Sequence, residues 1–168
     1  IYRTSNIASR IKGGHAAAFM RASIVPRSHL SDSIDVLVAF DIEAVQKASA
    51  RLAPSCVVIF DRSRGDLPDK LVPESALLIP VPFSRLAVRD LRRDLFKNSL
   101  GFGLMGRIMG LPDEEVENCL QNHFKKLTVE QNQPNMRALR EGQAFAERAG
   151  ISSKQSIFVM PEVENQQD

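Results

Sequence analysis

The sequence predicts an α/β fold with a mostly parallel sheet in three layers, in which helices cover both faces. Two wholly apolar runs, at residues 36–40 and 56–60, each end at an aspartate, and such runs are typical of strands buried in a parallel sheet. A segment with helical spacing joins them, and from residue 83 onward the apolar period is helical. With 168 residues, 43% hydrophobic and 25% charged, the chain has the composition of one globular domain.

The first half of the chain is predicted to contain four strands and one helix. Residues 15–25 are rich in alanine and precede Pro26, which predicts a strand before the two apolar runs. Asp41 is expected to cap the helix, and Pro54 to end it. The apolar positions of this helix recur at helical spacing, at Ile42, Val45, Ala48 and Leu52. Residues 77–81 form the last predicted strand, after an exposed loop rich in proline and glycine.

The second half is predicted to be helical, with helices at residues 83–96, 99–109, 116–124 and about 134–149. The third has Pro112 in its first turn, acidic residues at its positive end, and Lys125 and Lys126 at its negative end. Gly150 is expected to end the fourth. The apolar stripe of this last helix is predicted at Met136, Leu139, Phe145 and Ala149.

We expect one domain at residues 1–150, followed by a polar tail or interdomain linker at residues 151–168.

The composition also limits the partners of the chain. No uncharged stretch approaches the roughly 20 apolar residues of a membrane span. The formal charge of +2 is too small to predict nucleic-acid binding. These properties predict a cytoplasmic protein without a membrane or nucleic-acid partner.

Two cysteines, Cys56 and Cys119, are too few for the four thiolates of an iron–sulfur cluster or of an all-cysteine zinc site. Cys56 opens an apolar run and Cys119 falls in a predicted helix, so we interpret both as reduced, packed thiols. A structural disulfide is the less favoured alternative. Any redox centre is therefore expected to lie elsewhere.

Three glycines match the G-x-G-x-x-G spacing of dinucleotide-binding loops, at Gly101, Gly103 and Gly106. That fingerprint requires a strand leading into the first glycine, whereas residues 96–99 carry no strand pattern. Three glycines inside a helix give up roughly 3 kcal/mol relative to alanine, so close packing against the sheet or a partner must compensate. We therefore favour a packing role, and a stand-alone nucleotide-binding domain is the least favoured function.

The residues that best indicate a binding function precede the first predicted strand and are Ser9, Arg10, Lys12, Gly13, Gly14 and His15. Adjacent glycines can turn successive backbone N–H groups toward one point, and neighbouring cations make that point attractive to phosphate. Arg10 and Lys12 alternate with Ile11, so both side chains can leave an extended backbone on the same side. The local chemistry is equally compatible with a hairpin-like turn whose basic residues are solvated.

Other polar residues give weaker predictions. His29 lies in a polar segment, and His123 falls at a helix end, where histidine favours the negative terminus of the dipole. Neither histidine has a neighbour in sequence suitable for binding a metal. Four arginines mark one basic helical region, which we interpret as a solvated face or a protein interface: Arg85, Arg89, Arg92 and Arg93. Motifs for a nucleophile elbow, a Walker loop or an HExxH zinc site are absent from the sequence.

Several segments occur in an order typical of one enzyme family. They are the basic glycine segment at 9–15, the strands with acidic ends at 35–41 and 57–61, Glu-Ala-Val at 43–45, Ile-Pro-Val-Pro at 79–82, Lys-Asn at 97–98 and Leu-Gly at 100–101. Together they resemble the gamma subunit, or fused gamma domain, of 2-oxoacid:ferredoxin (acceptor) oxidoreductases. The resemblance covers roughly residues 3–150, and the 2-oxoglutarate type looks closer than the indolepyruvate type.

The resemblance implies a Rossmann-like fold without the family's first strand and helix, whose glycine-rich opening has no counterpart here. It implies an enzyme that oxidatively decarboxylates a 2-oxoacid to acyl-CoA and passes electrons to ferredoxin or another acceptor. Thiamine diphosphate, magnesium and 4Fe–4S clusters then belong to partner domains or subunits, and this chain alone is not catalytic. In the family the gamma domain helps to form the coenzyme A side of the active site, which implies a cofactor-binding role for Ser9, Arg10, Lys12, Gly13, Gly14 and His15.

A second hypothesis is a non-catalytic, doubly wound interaction module, similar to a receiver or flavodoxin-like domain, that docks a protein through its basic helix near Arg89. Asp41 and Asp61 follow strands, as the acidic residues of a receiver do, but the accompanying lysine and acidic pair are missing. A flavodoxin would need a Ser/Thr-rich phosphate loop and aromatic residues that stack on flavin. The chain has one tyrosine and no tryptophan, which disfavours that variant.

Overall fold

The first 81 residues form one structural unit, and residues 82–168 form a second. The computed structural model describes residues 2–7, 16–21, 28–29, 31–68, 70–91 and 96–151. The elements of the first unit are β1 (Tyr2–Ile7), β2 (Ala16–Arg21), β3 (Ile34–Ala39), α1 (Ile42–Ala48), β4 (Leu52–Asp61) and β5 (Leu77–Val81). The second unit contains α2 (Phe83–Leu91), α3 (Lys97–Ile108), α4 (Asp113–His123) and α5 (Val129–Arg148).

The parallel sheet consists of β3, β4 and β5 in that order. Val38 pairs with Ile59, and Ile59 pairs with Ile79. In the central strand β4 every residue from Cys56 to Asp61 is buried, as its apolar run predicts. In β3 only Ala39 is fully buried, so the predicted cover on both faces holds for β4 but not for β3. The difference follows from position, because β3 lies at an edge of the sheet as far as the structure describes it.

Helix α1 begins where the sequence predicts. The Oδ1 atom of Asp41 accepts a hydrogen bond from the backbone N–H of Ala44 at 2.7 Å, which satisfies a donor of the first turn. Val45 faces a core that also contains Ala39 and Phe60. The sheet with its helix confirms the predicted α/β class.

The predicted extension of α1 to Leu52 is wrong. The helix ends at Ala48, residues Ser49–Arg51 form a 3-10 turn, and Leu52 already pairs with Ile34 as the start of β4. Pro54 lies inside β4 rather than after the helix. It falls where the ladder to β3 is irregular, between the Leu52 and Val57 pairs, and such positions accommodate a proline that cannot donate a hydrogen bond.

The strand predicted at residues 15–25 is confirmed over Ala16–Arg21, but it lies outside the parallel sheet. It pairs antiparallel with β1 to form a two-stranded ribbon. The sequence did not predict β1, because its interior residues are polar and provide no apolar alternation. Pairing with β2 supplies the hydrogen-bonding partners that make this polar segment a strand.

All four predicted helices of the second unit are present, but three of them begin earlier than predicted. Helix α3 begins at Lys97 rather than at residue 99, and α4 begins at Asp113 rather than at residue 116. The predicted continuation of α2 over residues 92–95 lies outside the described residues. Helix α5 begins at Val129 rather than near Pro134, since Thr128 and Gln131 form a reciprocal capping box with hydrogen bonds of 3.0 and 3.2 Å. Pro134 therefore lies inside the helix. Of the predicted apolar stripe, Met136 and Leu139 are buried in a cluster with Val116 and Leu120, whereas Phe145 is half-buried and Ala149 is exposed.

Helix α4 has the predicted residues at its N-terminus, and only the first residue of the predicted tail is described. Helix α4 starts directly after Pro112 with three acidic residues in its first turn. The predicted tail lies outside the described residues except for Ile151, so the proposed boundary at residue 150 stays a prediction. No helix in the described ranges combines the length and the apolar character that a membrane span requires.

Candidate functional site

The ribbon of β1 and β2 brackets the segment that the sequence identifies as phosphate-binding. Ile7 pairs with Ala16, and the register continues to the pair Tyr2 and Arg21. Paired residues of antiparallel strands lie with Cα atoms about 4.5–5.5 Å apart, so the two residues that flank the segment are neighbours. The predicted site residues themselves lie outside the described residues and stay a prediction: Ser9, Arg10, Lys12, Gly13, Gly14 and His15.

Strand β2 has one half-buried face and one exposed face. Ala17, Phe19 and Arg21 are half-buried, whereas Ala18 is exposed and Met20 is 62% exposed. This alternation is the period of two expected for a strand that packs on one side only. The half-buried face therefore attaches the ribbon to the rest of the first unit.

The side chain of Arg51 contacts that face. The centre of its guanidinium group lies 5.1 Å from the centre of the Phe19 ring, within the range of a cation–π interaction. The same guanidinium donates to two backbone carbonyl oxygens, from Nε to Asp32 at 3.1 Å and from Nη2 to Ser31 at 3.1 Å. One side chain thus links β2, the approach to β3 and the turn that precedes β4.

A second arginine attaches the end of the ribbon. Arg21, the last residue of β2, donates from Nη1 to the carbonyl oxygen of His29 at 3.1 Å. Phe19 and Arg21 both belong to the half-buried face, so β2 is held at two points that are two residues apart. The exposed His29 contributes its backbone to this contact.

The carboxyl ends of the parallel strands are the other place where an α/β fold commonly binds ligands. Asp41 lies at the end of β3 and caps α1. Asp61, the last residue of β4, is only 4% exposed, and its Oδ1 accepts from the backbone N–H of Ser63 at 2.9 Å. Both carboxylates therefore satisfy backbone donors, a structural role that accounts for them without the phosphorylation chemistry of a receiver.

Gly103 and Gly106 of α3 serve close packing, as predicted, but they pack against two other helices rather than against the sheet. A Cβ atom built on Gly103 would lie 2.0 Å from the carbonyl oxygen of Leu139 in α5, and one on Gly106 would lie 2.7 Å from Val116 in α4. These residues are in the middle of a helix and not in a loop that leads out of a strand. The arrangement provides no cradle for a pyrophosphate.

The cysteines and histidines of the described ranges are not arranged as a metal site. Within the described ranges, no group of three or more His, Cys, Asp and Glu side chains is placed to hold a metal ion.

Both cysteines are free. Cys56 is buried as predicted, and burial, with a smaller effect of the negative charge of Asp35, raises the pKa of its thiol. Cys119 is exposed on α4, which corrects the prediction that it is packed. His123 packs edge-on against Phe124 with 4.8 Å between ring centres.

The basic helical region is described in part. Arg85 is exposed on α2, and Arg89 lies on the same helix by its backbone. Arg92 and Arg93 lie outside the described residues. The proposed interface role of this region stays a prediction.

The sequence does not single out Arg51 or Phe19. Their contact joins positions 32 residues apart in the chain, and no local pattern predicts such a pair. A weak signal was available in the alternation of β2, which places Phe19 on the same face as Arg21.

Comparison with known proteins matches the chain to one family model. A family model described as pyruvate ferredoxin/flavodoxin oxidoreductase matches residues 1–145. No curated protein sequence matches the chain. Among solved structures, the chain is similar to the 2-oxoglutarate:ferredoxin oxidoreductase from Magnetococcus marinus with 2-oxoglutarate, coenzyme A and succinyl-CoA bound. That likeness has a TM-score of 0.77 and 26% identity, and it covers 88% of this chain but only 26% of that chain.

Two shorter chains share the fold. The gamma subunit of a keto/oxoacid ferredoxin oxidoreductase from Geobacter sulfurreducens matches with a TM-score of 0.63 and 20% identity, covering 87% of this chain and 80% of that one. A pyruvate oxidoreductase subunit from Thermotoga maritima matches with a TM-score of 0.57 and 18% identity, covering 85% and 79%. These likenesses confirm the predicted Rossmann-like α/β class.

Proposed function

Because the chain belongs to the pyruvate ferredoxin/flavodoxin oxidoreductase family, we propose that it is the gamma component of a thiamine-diphosphate-dependent 2-oxoacid:ferredoxin oxidoreductase. The family match over residues 1–145 carries the proposal. The likeness to an enzyme solved with 2-oxoglutarate, coenzyme A and succinyl-CoA supports it. In the proposed reaction, a 2-oxoacid, coenzyme A and two oxidised ferredoxins give acyl-CoA, carbon dioxide, two reduced ferredoxins and a proton.

The proposed contribution of this chain is the coenzyme A side of the active site. Coenzyme A carries a pyrophosphate and a 3′-phosphate, which guanidinium and ammonium groups bind by charge-assisted hydrogen bonds. Arg10 and Lys12 supply those cations, and Gly13 and Gly14 supply backbone N–H groups. The pairing of Ile7 with Ala16 supports the proposal, because it brings the two ends of this segment together on an ordered ribbon.

The remaining cofactors are assigned to partner chains or domains. Thiamine diphosphate supplies the carbanion chemistry that makes decarboxylation of a 2-oxoacid possible. The described part of this chain has no cluster of metal-binding side chains, and its two cysteines fall short of the four thiolates of a 4Fe–4S cluster. We place the complex in the cytoplasm, where both free thiols stay reduced, with ferredoxin as acceptor and no nucleic-acid or membrane partner.

Purification of the native complex tests the assignment as a component. A tag on this chain is expected to recover larger chains with the brown absorbance of iron–sulfur clusters and with 2-oxoacid- and coenzyme A-dependent reduction of ferredoxin. Recovery of the chain as a colourless monomer would support the interaction-module hypothesis and contradict the proposal.

Steady-state kinetics of the assembled enzyme test the coenzyme A role. Arg10→Ala with Lys12→Ala is expected to raise the apparent KM for coenzyme A while thiamine-dependent decarboxylation stays close to wild type. Lys47→Ala with Arg62→Ala is the matched control, because it removes the same charge from two exposed cations of the first unit. An unchanged KM in the first double variant would refute the role.

A further inference from the structure

We propose that Arg51 is a positioning residue for coenzyme A binding, acting through the ribbon of β1 and β2. The inference rests on the proposed function, since it names a residue that supports the proposed coenzyme A-binding segment between Ile7 and Ala16. Arg51 does not belong to that segment. Its role is to fix the ribbon, and with it Ile7 and Ala16 at the two ends of that segment, to the parallel-sheet part of the first unit.

The position of Arg51 is set by the sheet rather than by the ribbon. It is the last residue of the 3-10 turn Ser49–Arg51, and the next residue, Leu52, begins the central strand β4. From this fixed point its guanidinium reaches the carbonyl oxygens of Ser31 and Asp32. Two hydrogen bonds in a planar fork restrict the orientation of the group, and the ring of Phe19 lies against it at 5.1 Å.

The ribbon depends on such contacts because an isolated two-stranded hairpin is at best marginally stable in water. One face of β2 is exposed at Ala18 and Met20, so the face with Phe19 and Arg21 provides the attachment that the described residues show. Loss of the Arg51 contact lowers the fraction of molecules with an attached ribbon. Because only the attached form binds coenzyme A well, the apparent dissociation constant for coenzyme A equals the intrinsic constant divided by that fraction. It therefore rises as the fraction falls.

The test uses the assembled enzyme with Arg51→Met, which keeps an unbranched apolar side chain but removes the charge and both donors. The apparent KM for coenzyme A is expected to rise about fivefold, with kcat and the coenzyme A-independent release of carbon dioxide close to wild type. Arg51→Lys retains the charge without the planar fork and is expected to recover part of the loss. Lys47→Met, which removes an exposed cation of the same unit, is expected to leave the KM unchanged.

Hydrogen exchange gives a second readout that does not depend on activity or ligand. In Arg51→Met the backbone amides of Tyr2–Ile7 and Ala16–Arg21 are expected to exchange about tenfold faster, while those of the buried part of β4, Cys56–Asp61, keep the wild-type rate. Phe19→Leu removes the ring but none of the hydrogen bonds, and it is expected to show the same pattern more weakly. If Arg51→Met does not assemble, Phe19→Leu provides both measurements.

The outcomes separate this inference from the proposed function. If Arg10→Ala with Lys12→Ala raises the KM for coenzyme A and neither Arg51→Met nor Phe19→Leu does so, Arg51 has no positioning role and the proposed function stands. If exchange of the ribbon increases but the KM of every variant is unchanged, both the proposed coenzyme A role and the inference are overturned. Uniformly faster exchange, including β4, would show a general loss of stability and would also overturn the inference.

Discussion

Gly103 of α3 lies so close to Leu139 of α5 that a Cβ atom at residue 103 would be 2.0 Å from the Leu139 carbonyl oxygen. The approach is reciprocal, since a Cβ atom on Gly142 would be 2.0 Å from the carbonyl oxygen of Leu100. Backbone faces backbone at this crossing, so a side chain cannot be accommodated by a change of rotamer. Two of the three glycines that imitate a nucleotide fingerprint, Gly103 and Gly106, are thus explained by the close contacts of α3 with α5 and α4.

Gly103→Ala is therefore expected to destabilise the protein although alanine is the better helix former. Overpacking against a backbone carbonyl costs about 1–3 kcal/mol, and the gain in helix propensity of about 1 kcal/mol offsets part of this cost. Chemical denaturation of the full chain should show a lower free energy of unfolding than wild type. The control Asn98→Ala, at an exposed position of the same helix, should stay within about 0.5 kcal/mol. A more stable Gly103→Ala protein would refute the close crossing.

The cap of α1 gives a second prediction. Asp41→Ala removes the acceptor of the Ala44 N–H hydrogen bond, and the loss of an N-cap costs about 1 kcal/mol. Asp41→Asn keeps an acceptor in the same place and should retain most of the stability. Thermal unfolding of both variants checks this, and equal losses in the two would show that the cap contributes little.

The ion pair between α4 and α5 makes stability depend on pH. Arg140 donates from Nε and Nη2 to the two carboxylate oxygens of Glu117 at 2.9 and 2.8 Å, and this hydrogen bonding, with the charge of Arg140, lowers the pKa of Glu117. A lowered pKa in the folded state adds stability above the unfolded value of about 4.3, and that stability is lost as the pH falls through the folded value.

Comparison with Glu117→Gln isolates this effect. The free energy of unfolding of wild type should exceed that of the variant by about 0.2–1 kcal/mol at neutral pH, the range measured for ion pairs that water can reach. The difference should vanish in acid below the folded pKa of Glu117. Unfolding midpoints in urea as a function of pH measure it, with Glu147→Gln as a control for the loss of one exposed carboxylate. A difference that persists in strong acid would mean that the pair is not its source.

Elements with a strong local pattern were predicted well from the sequence. The strand Leu77–Val81 has the predicted bounds, and Asp41 caps α1 as expected. Local patterns were insufficient where the partner of a segment decides its structure. Leu52 fits the helical spacing of α1, but pairing with Ile34 makes it part of β4. Strand β1 has no apolar alternation and exists through its pairing with β2.

The candidate site itself stays a prediction from the sequence. The basic glycine segment is visible as a cluster in the sequence, and the structure adds that its flanking residues, Ile7 and Ala16, are paired. The contact of Arg51 with Phe19 depends on how the ribbon lies beside the turn before β4, and a sequence without its tertiary structure does not contain that information. The missed start of α5 is different, because Thr128 and Gln131 have the spacing of a capping box and were readable.

The dissociation constant of coenzyme A for the assembled enzyme, measured without 2-oxoacid, tests the central claim most directly. Arg10→Ala with Lys12→Ala removes charge-assisted hydrogen bonds to phosphate, and hydrogen bonds to charged groups contribute about 1.5–3 kcal/mol each, so the double variant should bind at least about tenfold more weakly. Lys47→Ala with Arg62→Ala should bind as wild type does. Equal affinity of wild type and the Arg10 and Lys12 variant would contradict the assignment of this chain to the coenzyme A side of the enzyme.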